Sequence, residues 1–479
     1  VTIVLTAAGD FRQQHLSLMH GWLPLTIQAV AAAVLVAAIG WRTRTWRRLW
    51  LPVAIVFGGM LAAAAYWYVS TEGLASDPAP NLLWVWITVT GGAVVVLVAG
   101  WRGARWWRRG ASVIAVPLTL MCAALALNLW VGYFPTVQTA WNQLTAGPLP
   151  DQTDQATVVA MQRAHTIPAK GTVVPVDIGS VPSGFKHRGE LVYLPPAWYA
   201  SNPPPPLPTV MMIGGEFNTP ADWLRAGNAI KTADDFASSH RGNAPVLVFV
   251  DSGGAFNNDT ECVNGSRGNA ADHLAEDVPR FMERTYGVSA SPAKWGIVGW
   301  SMGGTCAVDL AVMHPDEFSA FEDIAGDIAP NSGNKQQTIE RLFGGNAAAY
   351  AGFDPTTVMH QHGPYDGVAG WFDISGTASV TNAPTMVNAA NGSGMGGRDA
   401  AGHTSGQTAA ATSLCDAGAA NGITCAVVAQ PGKHDWPFAA HAFAAALPWL
   451  AGELGTPGVP VEPLPASAPP APTAEAAGR

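Results

Sequence analysis

A serine set among glycines, Gly299-Trp300-Ser301-Met302-Gly303-Gly304, follows the short apolar run Trp295–Val298 and precedes the helical pattern Thr305–His314. A G-x-S-x-G at a strand-to-helix junction reads as a nucleophile elbow. The glycines let strand and helix approach closely. The turn lifts the serine Oγ toward a helix N-terminus, where N–H groups favour developing negative charge. A serine hydroxyl needs a base, and this arrangement supplies a histidine after the last strand. His434 fits, because Ile423–Ala429 reads as a strand, Pro431-Gly432 as a loop, and Pro437–Leu454 as a terminal helix. His441 falls inside that helix, and His360, His362 and His403 come before the last strand.

The third member is an acid between serine and histidine in chain order. Asp399, in Gly396-Gly397-Arg398-Asp399, is the expected one; Asp373, Asp366 and Asp416 are alternatives if the strands are assigned differently. Acyl transfer also needs two N–H groups aimed at the oxyanion. The amide of Met302 should give one. The loop Gly214-Gly215-Glu216-Phe217 should give the other, through Glu216 and, failing that, Phe217.

The elements that must hold these groups alternate in type. β-rich runs lie at Leu191–Leu194, Thr209–Ile213, Val246–Val250, Trp295–Val298, Trp371–Ile374 and Ile423–Ala429. Helical patterns lie at Ala221–Ile230, Ala270–Tyr286, Thr305–His314, Gly406–Ala419 and Pro437–Leu454. Buried strands separated by helices imply a mostly parallel sheet covered on both faces, one α/β domain over about residues 171–454.

The rest of the chain differs in composition. Only 12% of the 479 residues are charged while 48% are hydrophobic, and 19 are tryptophan. Four charge-free stretches, about 22–41, 49–70, 81–101 and 110–135, are each long enough to cross ~30 Å of hydrocarbon, giving a transmembrane anchor over 1–135. Arg42, Arg44, Arg47 and Arg48 fill the first connection and Arg102, Arg105, Arg108 and Arg109 the third, whereas the second carries Glu72 and Asp77. The positive-inside rule puts both arginine clusters in the cytoplasm, and the N-terminus and catalytic domain outside the plasma membrane. Residues 136–170 read as a polar linker, and 455–479 as a Pro/Ala-rich disordered tail. A net charge of −9 argues against a nucleic-acid partner. No cysteine spacing suggests a zinc site, and neither metal nor cofactor is expected.

Several segments together resemble the esterase D / antigen 85 group of α/β hydrolases: the serine motif, His314-Pro315-Asp316-Glu317-Phe318, and Gly432-Lys433-His434-Asp435-Trp436. That group includes carboxylesterases, S-formylglutathione hydrolases and mycolyltransferases. The resemblance implies an α/β-hydrolase fold and supports Ser301, His434 and the Met302 and Glu216 amides; it supports Asp399 less. With its anchor, the chain looks like an actinobacterial envelope protein, a departure from the secreted mycolyltransferases. The expected function is a serine esterase or acyltransferase on lipid-borne or acyl-sugar esters; the alternative is an inactive binding or assembly protein of the same fold.

Cys415 and Cys425, 10 residues apart, stand where a helix end and the next strand could meet, which leaves Cys262 and Cys306 as a second pair. Outside the membrane such pairs oxidise. The alternative is four free buried thiols. Cys122 lies within a span.

Overall fold

The computed structural model describes residues 16–40, 42–72, 79–131, 133–134, 136–145, 149, 151–376, 406–432 and 434–465. It divides into two compact units, Val1–Gly147 and Pro148–Arg479.

The first unit contains four helices long and apolar enough to cross a membrane: α1 (Trp22–Ile39), α2 (Leu51–Glu72), α3 (Asn81–Gly100) and α4 (Trp106–Val131). They match the four expected stretches. Most of the large apolar side chains on α1 and α2 face outward, as expected of helices whose solvent is lipid. Helices α2 and α3 pack backbone to backbone at Gly58 and Gly91, where a Cβ on Gly58 would stand 2.0 Å from Thr88 O. Small residues at a helix crossing allow this close approach. Arg42 reaches from the end of α1 to the end of α3, donating to Ala38 O (2.8 Å), Ile39 O (3.1 Å) and Gly100 O (2.8 Å).

The second unit is an eight-stranded sheet. Its strands are β1 (Thr172–Val176), β2 (Glu190–Leu194), β3 (Thr209–Ile213), β4 (Val246–Val250), β7 (Trp295–Trp300), β8 (Ala320–Ile324), β9 (Ala369–Gly376) and β10 (Thr424–Pro431). A separate two-stranded pair joins β5 (Asn264–Gly265) to β6 (Gly268–Asn269). Spatial order in the large sheet is β1-β2-β4-β3-β7-β8-β9-β10. The β1–β2 and β2–β4 pairs are antiparallel, and the remainder are parallel. Every residue of β3, β4 and β7 is buried, so helices must cover both faces. This is the expected α/β-hydrolase fold.

Several expectations need correction. The helix read over Ala221–Ile230 is two helices, Asp222–Arg225 and Ala229–Ser239. The chain breaks because Gly227 passes tightly against Trp223 O and the Trp436 ring, and Asn228 takes a left-handed φ of 54°. Strands β1 and β8 did not stand out in the sequence; Glu322 and Asp323 interrupt the apolar run of β8, yet both are buried. The segment read as a linker contains helices Val137–Leu144 and Gln155–Arg163. Asp154 caps the second through Thr157 N (2.7 Å), and Val158 joins the main core. The segment read as a disordered tail is structured at its start: Thr456 is buried, and Lys294 Nζ donates to Gly455 O at 2.9 Å.

Candidate active site

Parallel strands deliver their C-terminal ends to one edge of the sheet, and the chemistry-bearing loops leave from there. Ser301 stands between β7 and the helix Met302–Met313 with φ 58° and ψ −121°, a left-handed conformation that costs a non-glycine residue energy. Its N–H donates to Ile324 O (2.9 Å), which anchors the turn to the end of β8. A Cβ on Gly299 would stand 1.6 Å from Gly303 O, and one on Gly303 would stand 2.4 Å from Ile213 O. The motif's glycines are therefore dictated by backbone crowding on both sides of the serine.

The His434 Nε2 lies 3.0 Å from Ser301 Oγ. The imidazole stacks on the Trp300 ring with centroids 4.2 Å apart, and the residue is 7% exposed. Directly after it, Asp435 caps the helix Trp436–Glu453 by accepting from Phe438 N at 3.1 Å, which fixes where the histidine leaves the loop. Burial disfavours the imidazolium and pushes the His434 pKa down to about 3.

At the other ring nitrogen stands a residue that the sequence reading did not single out. Gln407 Nε2 lies 2.9 Å from His434 Nδ1, and Gln407 Oε1 accepts from Ser375 Oγ (2.9 Å) and Ser375 N (3.3 Å). Asp399 and His403 lie outside the described residues. Of the alternative acids, Asp373 is buried within β9 and accepts from Gln430 Nε2 at 2.5 Å, while Asp366 and Asp416 are exposed. His441 is exposed on the terminal helix, and His360 and His362 lie in the helix Pro355–His362.

The loop after β3 abuts the serine: a Cβ on Gly215 would lie 3.1 Å from Ser301 Cβ. Phe217 holds φ 67°, which turns the chain back. The Glu216 carboxyl is raised well above the usual carboxylate range, first by burial and then by the charge of Asp259, with Arg267 opposing. Behind the serine, Asp323 accepts from Gly326 N (2.7 Å), and burial lifts its pKa to about 8.

Both expected disulfides are present. Cys262–Cys306 ties the helix behind Ser301 to the loop Asp259–Cys262, and Cys415–Cys425 ties the helix Gln407–Ala420 to β10. Cys122 is a free buried thiol in α4.

Residues 186–450 match the family model "Esterase: Putative esterase", more than half of the chain. The chain belongs to this esterase family. An uncharacterized protein of Corynebacterium glutamicum is 27% identical over 386 residues, which cover 78% of this chain and 88% of that one. The MPT51 antigen of Mycobacterium leprae is 28% identical over 144 residues, 28% of this chain and 44% of the antigen. Among solved structures, an S-formylglutathione hydrolase from Agrobacterium tumefaciens superposes with a TM-score of 0.45 at 18% identity, covering 60% of this chain and 97% of the other. This esterase-family chain is thus an α/β hydrolase related to the antigen 85 group, preceded by four long apolar helices.

Proposed function

We propose that this chain is a membrane-tethered, extracytoplasmic serine esterase or acyltransferase acting on lipid-borne or acyl-sugar esters of the cell envelope. The observation that carries the reading is the 3.0 Å contact between His434 Nε2 and the Oγ of a serine held at φ 58° on a strand-to-helix turn. A hydroxyl so placed loses its proton to the imidazole as it attacks an ester carbonyl. His434 then returns that proton to the leaving alcohol, and an acyl-enzyme remains on Ser301. Water or an acceptor hydroxyl, deprotonated by the same histidine, attacks the acyl-enzyme and regenerates Ser301. The amides of Met302 and Glu216 are assigned to the oxyanion.

For the first step Nε2 must be free of hydrogen and Nδ1 must carry it, so Nδ1 needs an acceptor. Asp399 is assigned that role. Gln407 can also supply an acceptor by turning its amide so that Oε1 faces Nδ1 and its nitrogen faces Ser375 Oγ, at the cost of the bond that Ser375 N donates to Oε1. The amide nitrogen now beside Nδ1 is the one observation that favours the alternative, an inactive fold serving in binding or assembly.

The extracytoplasmic placement rests on the arginine-rich first and third connections and agrees with two disulfides, which persist in oxidising compartments. A tethered enzyme suits a substrate that stays in the membrane. Labelling with a fluorophosphonate tests the chemistry: wild type should be labelled and Ser301→Ala should not. Equal labelling of both refutes the serine mechanism, and no labelling of the folded wild type favours the inactive fold. Product analysis on envelope lipids, with and without a sugar acceptor, separates transfer from hydrolysis.

A further inference from the structure

Away from the serine, one group of histidine and acidic side chains among the described residues has metal-ligand spacing. His187, Glu190 and His273 each offer a donor atom, and these atoms all lie within 4.8 Å of one another. Glu190 and His273 side chains are fully buried, and His187 is 7% exposed. His187 precedes β2, Glu190 is its first residue, and His273 opens a π-helical turn, His273–Asp277, that leads into the helix Val278–Tyr286.

With Glu190 and Asp277 ionised, neutral histidines leave acceptors facing one another at these atoms. His187 Nε2 lies 2.6 Å from Ile178 O, which requires the ring hydrogen there. Its Nδ1 then presents a lone pair 3.0 Å from Arg188 O and 3.5 Å from Glu190 Oε2. His273 Nδ1 lies 3.2 Å from Asp277 Oδ2, and its Nε2 then presents a lone pair 3.1 Å from Glu190 Oε1. Two imidazole lone pairs and a carboxylate converge on one buried place, where Glu190 Oε2 makes no hydrogen bond. Glu190 Oε1 also accepts from Asp251 N at 3.0 Å, so Oε2 is the oxygen left for a ligand. A single dication would meet all three groups, beside rings whose centroids are 4.5 Å apart.

The surroundings have the form that orients metal-binding histidines: each ring holds an acceptor on its other nitrogen, Ile178 O for His187 and the Asp277 carboxylate for His273. Two imidazoles and a carboxylate suit zinc and similar divalent transition metals. Tetrahedral bonds of ~2.1 Å put neighbouring donors about 3.4 Å apart. The two Glu190 contacts, 3.1 and 3.5 Å, are already near that distance.

We infer that His187, Glu190 and His273 bind one divalent transition-metal ion of the zinc class, in a structural site tying the start of β2 to the helix above it. Between two of the ligands sits Arg188. It donates to Asp251 Oδ1 (2.6 Å) and to Asn218 O (2.7 Å), immediately after the Gly214–Phe217 loop that abuts Ser301. The ion would therefore brace the backbone from which that loop is held. The sequence reading expected no metal because the spacing hides it: His273 is 83 residues from Glu190.

The test uses the full chain in detergent, stripped with a chelator and titrated with zinc ion by calorimetry and thermal unfolding. Wild type should take up about one zinc per chain and gain thermal stability. Cobalt in place of zinc should give the visible absorption of a site with nitrogen ligands. His187→Gln, at the least buried of the three ligands, should fold and lose zinc affinity by about 100-fold or more, and Asp277→Asn should lose roughly 10–100-fold. His360→Ala, on an exposed helix position, should bind as wild type does. Stripped wild type that takes up no zinc and gains no stability overturns the inference, as does zinc binding unchanged in folded His187→Gln. Neither result depends on Ser301.

Discussion

Replacing Gly303 with alanine tests whether the start of the Met302–Met313 helix must touch the end of β3. The added methyl would lie 2.4 Å from Ile213 O and 2.6 Å from Gly214 O. A carbon keeps about 3.3 Å from a carbonyl oxygen even in a close contact, so the helix and the loop must part by roughly 0.9 Å. Both atoms belong to the backbone, and no side-chain rotation relieves the clash. The parting separates the Met302 amide from the loop carrying Glu216, the two assigned oxyanion donors. Losing one such donor costs about 10²–10³ in kcat, and a ~1 Å misplacement costs about 10². Gly303→Ala should therefore lower kcat on a short-chain p-nitrophenyl ester about 100-fold, with KM changed much less. Overpacking should cost about 1–3 kcal/mol in urea unfolding. Gly179→Ala, exposed with open space around its would-be Cβ, should stay within ~0.5 kcal/mol and keep full activity. A folded Gly303→Ala enzyme with more than a third of wild-type kcat refutes the reasoning.

The acid assignment has a pH signature. On the Asp399 assignment, a carboxylate brought to Nδ1 opposes the burial that pushes the His434 pKa down, so wild type should lose rate as pH falls through ~6–7, because His434 must be neutral to act as base. Asp399→Asn should cost about 10⁴ or less. Its residual activity should show no acid limb down to pH ~5, since burial, which pushes the His434 pKa down, is then unopposed; identical pH profiles in the two proteins would remove Asp399 from the site. Breaking Cys262–Cys306, which spans 44 residues, should destabilise the unit by about 4 kcal/mol, against about 2.7 for the 10-residue Cys415–Cys425 loop. Serine substitutions and denaturant midpoints measure both, and the reverse order contradicts the loop-length argument. A tag after Arg479 should be reachable from outside intact cells and one between Arg42 and Arg48 should not; the opposite pattern inverts the topology.

Features written in a few adjacent residues were legible in the sequence. The glycines around Ser301 answer local backbone crowding, and His434 sits between a strand and a capped helix, so local chemistry and local structure coincide. The four long apolar helices were legible because length and apolarity are carried by each helix separately. Gln407 was not legible, since a glutamine opening a helix has no chemical signature until Ser375 and His434 arrive from two other elements. The His187–Glu190–His273 group was hidden in the same way, by long-range assembly. Strand β8 was missed because propensity counts Glu322 and Asp323 against a buried strand, whereas the fold buries both with their carboxyls pushed toward the neutral form. The helix break at Asn228 depends on where Trp436 packs, which no local pattern records.

The three carbonyls gathered by Arg42 have a consequence for how deep the first unit can sit in a bilayer. Through them the cation is level with the C-terminal ends of both α1 and α3. Those helices, 18 and 20 residues long, measure about 27 and 30 Å at 1.5 Å per residue, close to the ~30 Å thickness of the hydrocarbon. Drawing an arginine toward the bilayer centre costs about 2.5–3.5 kcal/mol on insertion scales. Arg42 thus works as a depth stop: the bundle cannot sink past it without dragging a guanidinium into oil, and a helix lengthened by a turn would have to tilt instead.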